Sequence, residues 1–269
     1  MDRFALPLSQ TVKSISFSSG LAACLSVVLA LISPAFAADD TITGAIARGD
    51  VADEQLKTSE SLAAYLEAEK LGGKDADLFR RISRGYSLSM VDTKSRDEQR
   101  ALGEKGLDYA KRAVATDPNN AMAQLAAAIC YGRVAPYLDN KTKIAYSKLV
   151  KEHADKAIKL DPSQDYAYHV LGAWNYELAS LNPILRAITK LIYGELPAAS
   201  YEDAVKNFKK AIELAPQRVA HHVELGRTYA AMGQKDLARA EINKGLALPS
   251  REKDDQGTKE RGREAFGKL

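Results

Sequence analysis

The sequence has few of the residues that mark disulfide scaffolds, metal centres and nucleotide-binding loops. It contains two cysteines, Cys24 and Cys130, and four histidines in 269 residues. It has no Cys-x2-Cys pair, no His-Glu-x2-His motif and no glycine-rich phosphate loop. The formal net charge is only +3, which is too weak to indicate a nucleic-acid partner. We therefore expect a protein that is not an enzyme and that carries no metal and no cofactor.

The histidines and the second cysteine fit packing or surface roles better than ligand roles. His221 and His222 are adjacent, so on a helix they would point about 100° apart and would not easily share a metal ion. His153 lies on a segment rich in charge. Cys130 lies in an apolar run and is predicted to be a buried small hydrophobe. No catalytic residue is predicted.

A long hydrophobic run is also absent. The apolar stretch at residues 21–32 falls short of the ~20 residues that a membrane-spanning helix needs. Ala35-x-Ala37 follows it and has the small-residue pattern of a signal-peptidase site. Residues 1–37 are therefore predicted to be a signal peptide that exports the protein to a periplasmic, secreted or lumenal location. The alternative is an uncleaved N-terminal membrane anchor.

What the sequence does contain is a series of alanine-rich helical segments, which predict an all-α protein. Residues 151–178 read as helix, break and helix, because the proline of Asp161-Pro162 excludes the preceding residue from the α region. Gly172 in the second helix is small enough to let a neighbouring helix approach closely. An Ala-x2-Ala-Ile-x-Leu-x-Pro ending before a Leu-Gly helix is typical of the junction between two tetratricopeptide repeats.

The same register recurs along the chain. It predicts four first helices, which start at Ala76, Ala121, Asp165 and Val219, and four second helices, which close before Pro118, Pro162, Pro216 and Pro249. The fold class is therefore a tetratricopeptide-like right-handed α-solenoid of about four helix-turn-helix repeats. A plain repeat has ~34 residues, so about 10 extra residues fall at 134–143 and about 20 at 180–200.

The predicted domain of repeats covers residues 56–266, and a helix at 59–70 is expected to cap its N-terminal end. The preceding residues 38–55 are polar and small, and they are predicted to form a flexible leader.

Three segments carry a more specific resemblance. They are KEHADKAIKLDP (151–162), HVLGAW (169–174) and YEDAVKNFKKA (201–211). Together with the long second and third repeats, they resemble the regulator of microtubule dynamics family over roughly residues 56–266. The resemblance implies a right-handed helical solenoid and a non-enzymatic role. For eukaryotic members it implies association with microtubules or organelle membranes.

The inner groove of such a solenoid is lined by the first helices, and here its positions are apolar and aromatic in the middle with arginines towards both ends. The predicted groove residues are Arg80, Arg84, Met122, Leu125, Ile129, Arg133, Tyr166, His169, Tyr176 and Arg227. They favour an amphiphilic, anionic ligand, either an acyl chain with an acidic head or an amphipathic peptide with acidic flanks. Alternatively, the apolar members are buried by packing between repeats.

Leu125 and Ile129 stand where the clamps that grip a peptide's C-terminal carboxylate have Lys and Asn, so such a clamp is not expected. The insertion offers a second surface, since its apolar residues follow helical spacing: Ile184, Leu185, Ile188, Leu191 and Ile192. It could touch a membrane surface, close over the groove as a lid, or simply pack on the solenoid's edge.

The expected partner is a protein or peptide, with a lipid as the alternative and at most peripheral membrane contact. Microtubules are expected as a partner only if the protein is cytosolic.

Overall fold

The chain folds into antiparallel helix pairs that follow one another in sequence order. The computed structural model describes residues 41–182, 186–187, 190 and 198–269, which all fall within a single compact unit, Ala38–Leu269. The helices of these ranges are α1 (Ile42–Glu54), α2 (Thr58–Lys70), α3 (Ala76–Ser89), α4 (Arg96–Thr116), α5 (Ala121–Val134), α6 (Asn140–Leu160), α7 (Asp165–Ala179), α8 (Tyr201–Leu214), α9 (Val219–Ala231), α10 (Lys235–Ala247) and α11 (Asp255–Phe266). Short 3₁₀ turns follow α3 and α5 at Met90–Asp92 and Ala135–Tyr137.

The predicted repeat register is confirmed. The four first helices, α3, α5, α7 and α9, begin at the four predicted residues, and the second helices end just before the predicted prolines. Polar side chains fix two of these starts: Asp75 accepts a hydrogen bond from the Leu78 amide at 2.8 Å, and Asn120 accepts one from the Ala123 amide at 3.0 Å. Such caps satisfy amides that have no partner inside the helix. The fold is the tetratricopeptide-like right-handed α-solenoid that the sequence predicts.

Glycines allow the two helices of a repeat to touch. A Cβ at position 172 would lie 2.8 Å from the ring of Phe208, which is fully buried on α8. A Cβ at position 226 would lie 2.9 Å from the backbone nitrogen of Ile242 on α10. Both distances are shorter than ordinary van der Waals contact, so these positions of α7 and α9 need glycine.

The first set of extra residues is accommodated partly in a longer helix, because α6 has 21 residues where its partner α5 has 14. The second set lies between α7 and α8, as predicted. The five apolar residues of the proposed lid or membrane helix, Ile184, Leu185, Ile188, Leu191 and Ile192, lie outside the described residues, so that hypothesis stays a prediction. The predicted signal peptide, residues 1–37, also lies outside them.

The predicted flexible leader needs correction, since residues 42–54 of the 38–55 segment form α1. The Thr41 side chain caps this helix by accepting a hydrogen bond from the Gly44 amide at 3.0 Å. Its buried residues, Ala45, Gly49 and Ala52, share one face, and Gly49 lies directly against the ring of Tyr65 on α2. The small residues that suggested a linker are in fact a close-packing helix surface.

The C-terminal helix α11 packs on α9 and α10. A Cβ at Gly262 would lie 3.3 Å from Val223, an inner-face residue of α9 that has no exposed surface. Residues 248–254 connect α10 to α11. Within the part of the chain that the structure describes, none of the helices is both long enough and apolar enough to cross a bilayer.

Candidate functional site

The first helices of successive repeats contact one another, α3 with α5, α5 with α7 and α7 with α9, and so form one continuous inner face. The predicted groove residues lie on these helices, but they do not form an open apolar channel. Leu125 is only 4% exposed and packs with Ala157 and Ala167 between the second and third repeats, with Ile129 at the edge of the same cluster. Met122 is 38% exposed. Leu125 therefore belongs to the core between repeats, as the alternative interpretation had it.

Aromatic and histidine side chains meet in the middle of the inner face. Tyr166 lies against the rings of His169 and His221, with centroid separations of 5.0 and 5.7 Å. The Nδ1 atoms of the two histidines are 3.0 Å apart, and Nε2 of His221 lies 2.9 Å from Oδ2 of Asp165. This arrangement is satisfied when His221 donates to Asp165 and accepts from His169.

Burial favours the neutral form of both histidines. Burial, reinforced by the other histidine, holds the pKa of His169 well below its usual value, and burial also lowers the pKa of His221. Burial opposes ionisation of Asp165, but the hydrogen bond from His221 and the charge of Arg218 outweigh it and lower that pKa. Among the described residues no group of His, Cys, Asp and Glu could hold a metal ion. The cluster is thus a hydrogen-bonded polar core.

The arginines of the inner face converge on carboxylates from the C-terminal part of the chain. Arg133 on α5 pairs with Asp254 and donates to the Ser87 carbonyl at 2.8 Å. Arg84 on α3 pairs with Asp53 of α1 and reaches Glu252 at 3.4 Å. Arg218, which is not among the predicted groove residues, donates to Glu252 at 2.7 Å and pairs with Asp165 at 2.7 Å.

The remaining two predicted arginines are bound by their own helices. Arg80 donates to Asp77 at 2.8 Å, and burial together with the charge of Arg84 lowers the pKa of Arg80. Arg227 donates to Glu224 at 2.5 Å, and its guanidinium lies 5.4 Å from the ring centroid of Tyr176. Arg80 and Arg227 therefore lie on the inner face but do not contact the carboxylates that bind Arg84, Arg133 and Arg218.

Residues 251–255, which we call the acidic turn, carry those two carboxylates. Its shape is fixed from within, since the buried Asp255 accepts hydrogen bonds from the amides of Arg251 and Glu252 at 2.7 and 2.8 Å. Lys253 donates to Asp92 at 2.6 Å. The acidic turn therefore crosses the inner face and binds groups from the first, second and last repeats.

A local sequence pattern could not have located this contact, because Arg84 and Glu252 are separated by 168 residues. The available signal was the mixed-charge run Arg-Glu-Lys-Asp-Asp after the last repeat, whose three carboxylates are opposite in charge to the arginines of the groove. Only the curvature of the solenoid brings the two together.

Comparison with known proteins gives the family. The chain matches the model described as "Regulator of microtubule dynamics protein 1-3" over residues 45–269. It is 32% identical over 205 residues to regulator of microtubule dynamics protein 1 from Mus musculus, covering 76% of this chain and 66% of the mouse protein. It is 29% identical over 184 residues to the Caenorhabditis elegans protein of the same name, covering 68% and 81% of the two chains. The matches thus span just under two thirds of the mouse protein's length.

A solved structure agrees with the fold. The thermophilic tetratricopeptide protein TTC0263 from Thermus thermophilus aligns with a TM-score of 0.60 at 15% identity, covering 84% of this chain and 98% of that one. At this identity the likeness supports the architecture alone.

Proposed function

The chain belongs to the regulator of microtubule dynamics protein 1–3 family, and from that premise we propose that it is a non-enzymatic binding protein whose concave groove holds a ligand with an anionic group. The ligand would be a peptide, a protein segment or an amphiphile. A helical scaffold with a binding role is what the family and the fold support in general terms. The groove as the binding surface is our specific proposal.

One observation carries it, namely that Arg84, Arg133 and Arg218 come from separate elements and each contacts Glu252 or Asp254 of one short segment. Guanidinium groups recognise carboxylates and phosphates through paired hydrogen bonds. Such charge-assisted bonds contribute about 1.5–3 kcal/mol each when they are shielded from water. These three arginines are 28–37% exposed, so each contribution is reduced by solvent. They nevertheless place guanidinium donors from three elements on one part of the inner face.

The test compares Arg133→Gln with Arg100→Gln. Arg100 lies on α4, is exposed and pairs only with Glu104 along its own helix in the described structure, so the second variant makes the same charge change away from the groove. Poly-glutamate peptide and vesicles that contain phosphatidic acid are the two anionic probes. We expect Arg133→Gln to weaken binding of the preferred probe about tenfold and Arg100→Gln to leave it unchanged. If wild type and Arg133→Gln both bind the probes measurably and with equal affinity, the groove is ruled out as the binding surface.

Association with microtubules is the second candidate function, and the names of the mouse and nematode relatives favour it. The acidic tails of tubulin would be the anionic ligand of the groove arginines. Co-sedimentation with microtubules at low salt tests this hypothesis. If the protein remains in the supernatant under those conditions, association with microtubules is refuted.

The location of the protein distinguishes an exported binding protein from a cytosolic protein that associates with microtubules. We propose that residues 1–37 direct export, with an N-terminal membrane anchor as the alternative. Intact mass measurement of the protein from its own host would show cleavage after Ala37 if export is correct. A full-length mass in the cytosol would contradict export and favour the microtubule setting.

A further inference from the structure

The arginines of the inner face bind carboxylates of the chain itself, and these carboxylates indicate what kind of ligand the arginines recognise. Glu252 and Asp254 are two residues apart, and the residue between them, Lys253, is held by Asp92. Glu252 bridges Arg218 and Arg84, which belong to opposite ends of the solenoid, and Asp254 pairs with Arg133 between them. The groove is thus matched to two carboxylates on one short peptide segment.

The match is incomplete. Oδ1 of Asp254 is buried and has no hydrogen-bond donor among the described residues. The Arg84 contact with Glu252 is long at 3.4 Å, since Arg84 is bound mainly by Asp53. A buried carboxylate oxygen without a donor carries an uncompensated desolvation penalty. A segment that satisfies this oxygen, or reaches Arg84 more closely, could bind these arginines more strongly than the chain's own turn does.

The side-chain contacts of Glu252 and Asp254 are separate from the packing that holds α11 on the solenoid. The turn shares only Asp255 with α11, and α11 is attached separately by its packing on α9 and α10, where Gly262 lies close to Val223. The side chains of Glu252 and Asp254 are 35% and 25% exposed, so both are only partly buried. Release therefore needs rearrangement only within the loop of residues 248–254 and at its contacts.

We propose that the acidic turn is an internal competitor, and that the ligand it excludes is an acidic peptide segment of a partner protein with carboxylates two residues apart. This rests on the proposed function, because it assigns the ligand class and the regulation of the same groove. An internal competitor lowers the apparent affinity in proportion to the fraction of molecules in which the groove is open. The chain would bind such a segment weakly until the turn is displaced.

The experiment supplies the competitor as a separate molecule. A fluorescein-labelled peptide with the sequence of residues 248–256 is titrated with the full-length protein, and anisotropy reports binding. We expect the double variant Glu252→Gln/Asp254→Asn to bind the peptide at least about tenfold more tightly than wild type. Adding Arg133→Gln to that variant should abolish the gain. A peptide with glutamine and asparagine at the two acidic positions should not bind.

The matched control is Glu260→Gln/Glu264→Gln, which removes the same two charges from exposed positions of α11. It should bind the peptide as weakly as wild type does. Thermal melts establish that each variant is folded, and the single change Asp254→Asn replaces the double variant if the latter fails to fold.

The outcomes separate this inference from the function on which it rests. Equal, Arg133-dependent binding of the peptide by wild type and by the double variant would show that the turn does not compete, and the groove function would stand. A gain for vesicles containing phosphatidic acid, with none for the peptide, would overturn the peptide ligand and leave an anionic lipid in the groove. If the variants bind no anionic probe at all, both the competition and the groove function are refuted.

Discussion

Replacing Gly226 with alanine should destabilise the protein, whereas the same replacement at Gly132 should stabilise it. Both glycines lie inside first helices, so both substitutions gain helix propensity, worth up to about 1 kcal/mol. The difference between them comes only from the space around the new methyl group. The comparison therefore tests the close approach of α9 and α10, on which the repeat geometry depends.

The expected size follows from the distances. At position 226 the new Cβ would lie 2.6 Å from Ile242 Cγ1, 2.9 Å from the Ile242 backbone nitrogen and 3.0 Å from the Ala238 carbonyl oxygen. Because two of these atoms belong to the backbone, α10 itself has to move, and overpacking of this kind costs about 1–3 kcal/mol. At position 132 the nearest atom is Val150 Cγ2 at 3.8 Å, an ordinary contact.

We expect Gly226→Ala to lower the free energy of unfolding by about 1–2 kcal/mol and Gly132→Ala to raise it by up to about 1 kcal/mol. For a chain of this length each kcal/mol shifts Tm by about 2–4 °C, so the two variants should differ by roughly 2–12 °C. Circular dichroism melts at 222 nm and urea titrations of the full-length protein measure this. If both variants melt above wild type, the helices are not as close as the structure has them.

Two further predictions concern the titratable groups His169, His221 and Cys130. Because the pKa values of His169 and His221 lie below the usual value of 6.5 in the folded state, stability should be full above about pH 6.5 and fall as the pH drops below it. Each histidine adds at most about 1.4 kcal/mol per pH unit, so His169→Gln should flatten the dependence seen in urea titrations from pH 7.5 to 5.5, and an unchanged slope would contradict the assignment. Burial raises the pKa of the Cys130 thiol, which contacts Ser83 at 3.3 Å. In a Cys24→Ser variant this thiol should therefore react with Ellman's reagent only in denaturant, and rapid reaction of the native protein would be evidence against its burial.

Much of the repeat architecture can be predicted from sequence because its signals are local. Prolines stop the second helices, and Asp75 and Asn120 cap first helices. Gly172 lies where two helices must touch. Each of these acts within one helix or between neighbouring helices, so the spacing of residues along the chain is enough to recognise it.

The wrong predictions concern residues whose burial depends on a neighbouring helix. Ala45, Gly49 and Ala52 have the composition of a linker, and their role as a packing face depends on Tyr65 of the next helix. Leu125 has the register of a groove residue, but the neighbouring repeat covers it. In both cases the local sequence gives the residue type and its helical register, whereas its burial depends on the helix that packs against it.

The sequence alone determined the helix pairs, their register and the family resemblance, because those follow from contacts between residues close in the chain. Tertiary structure alone decided which carboxylates lie against the arginines of the inner face. Glu252 and Asp254 meet Arg84 and Arg133 across separations of 168 and 121 residues. Small rotations between successive helix pairs accumulate into the curvature that closes those distances, and no single segment of sequence encodes their sum.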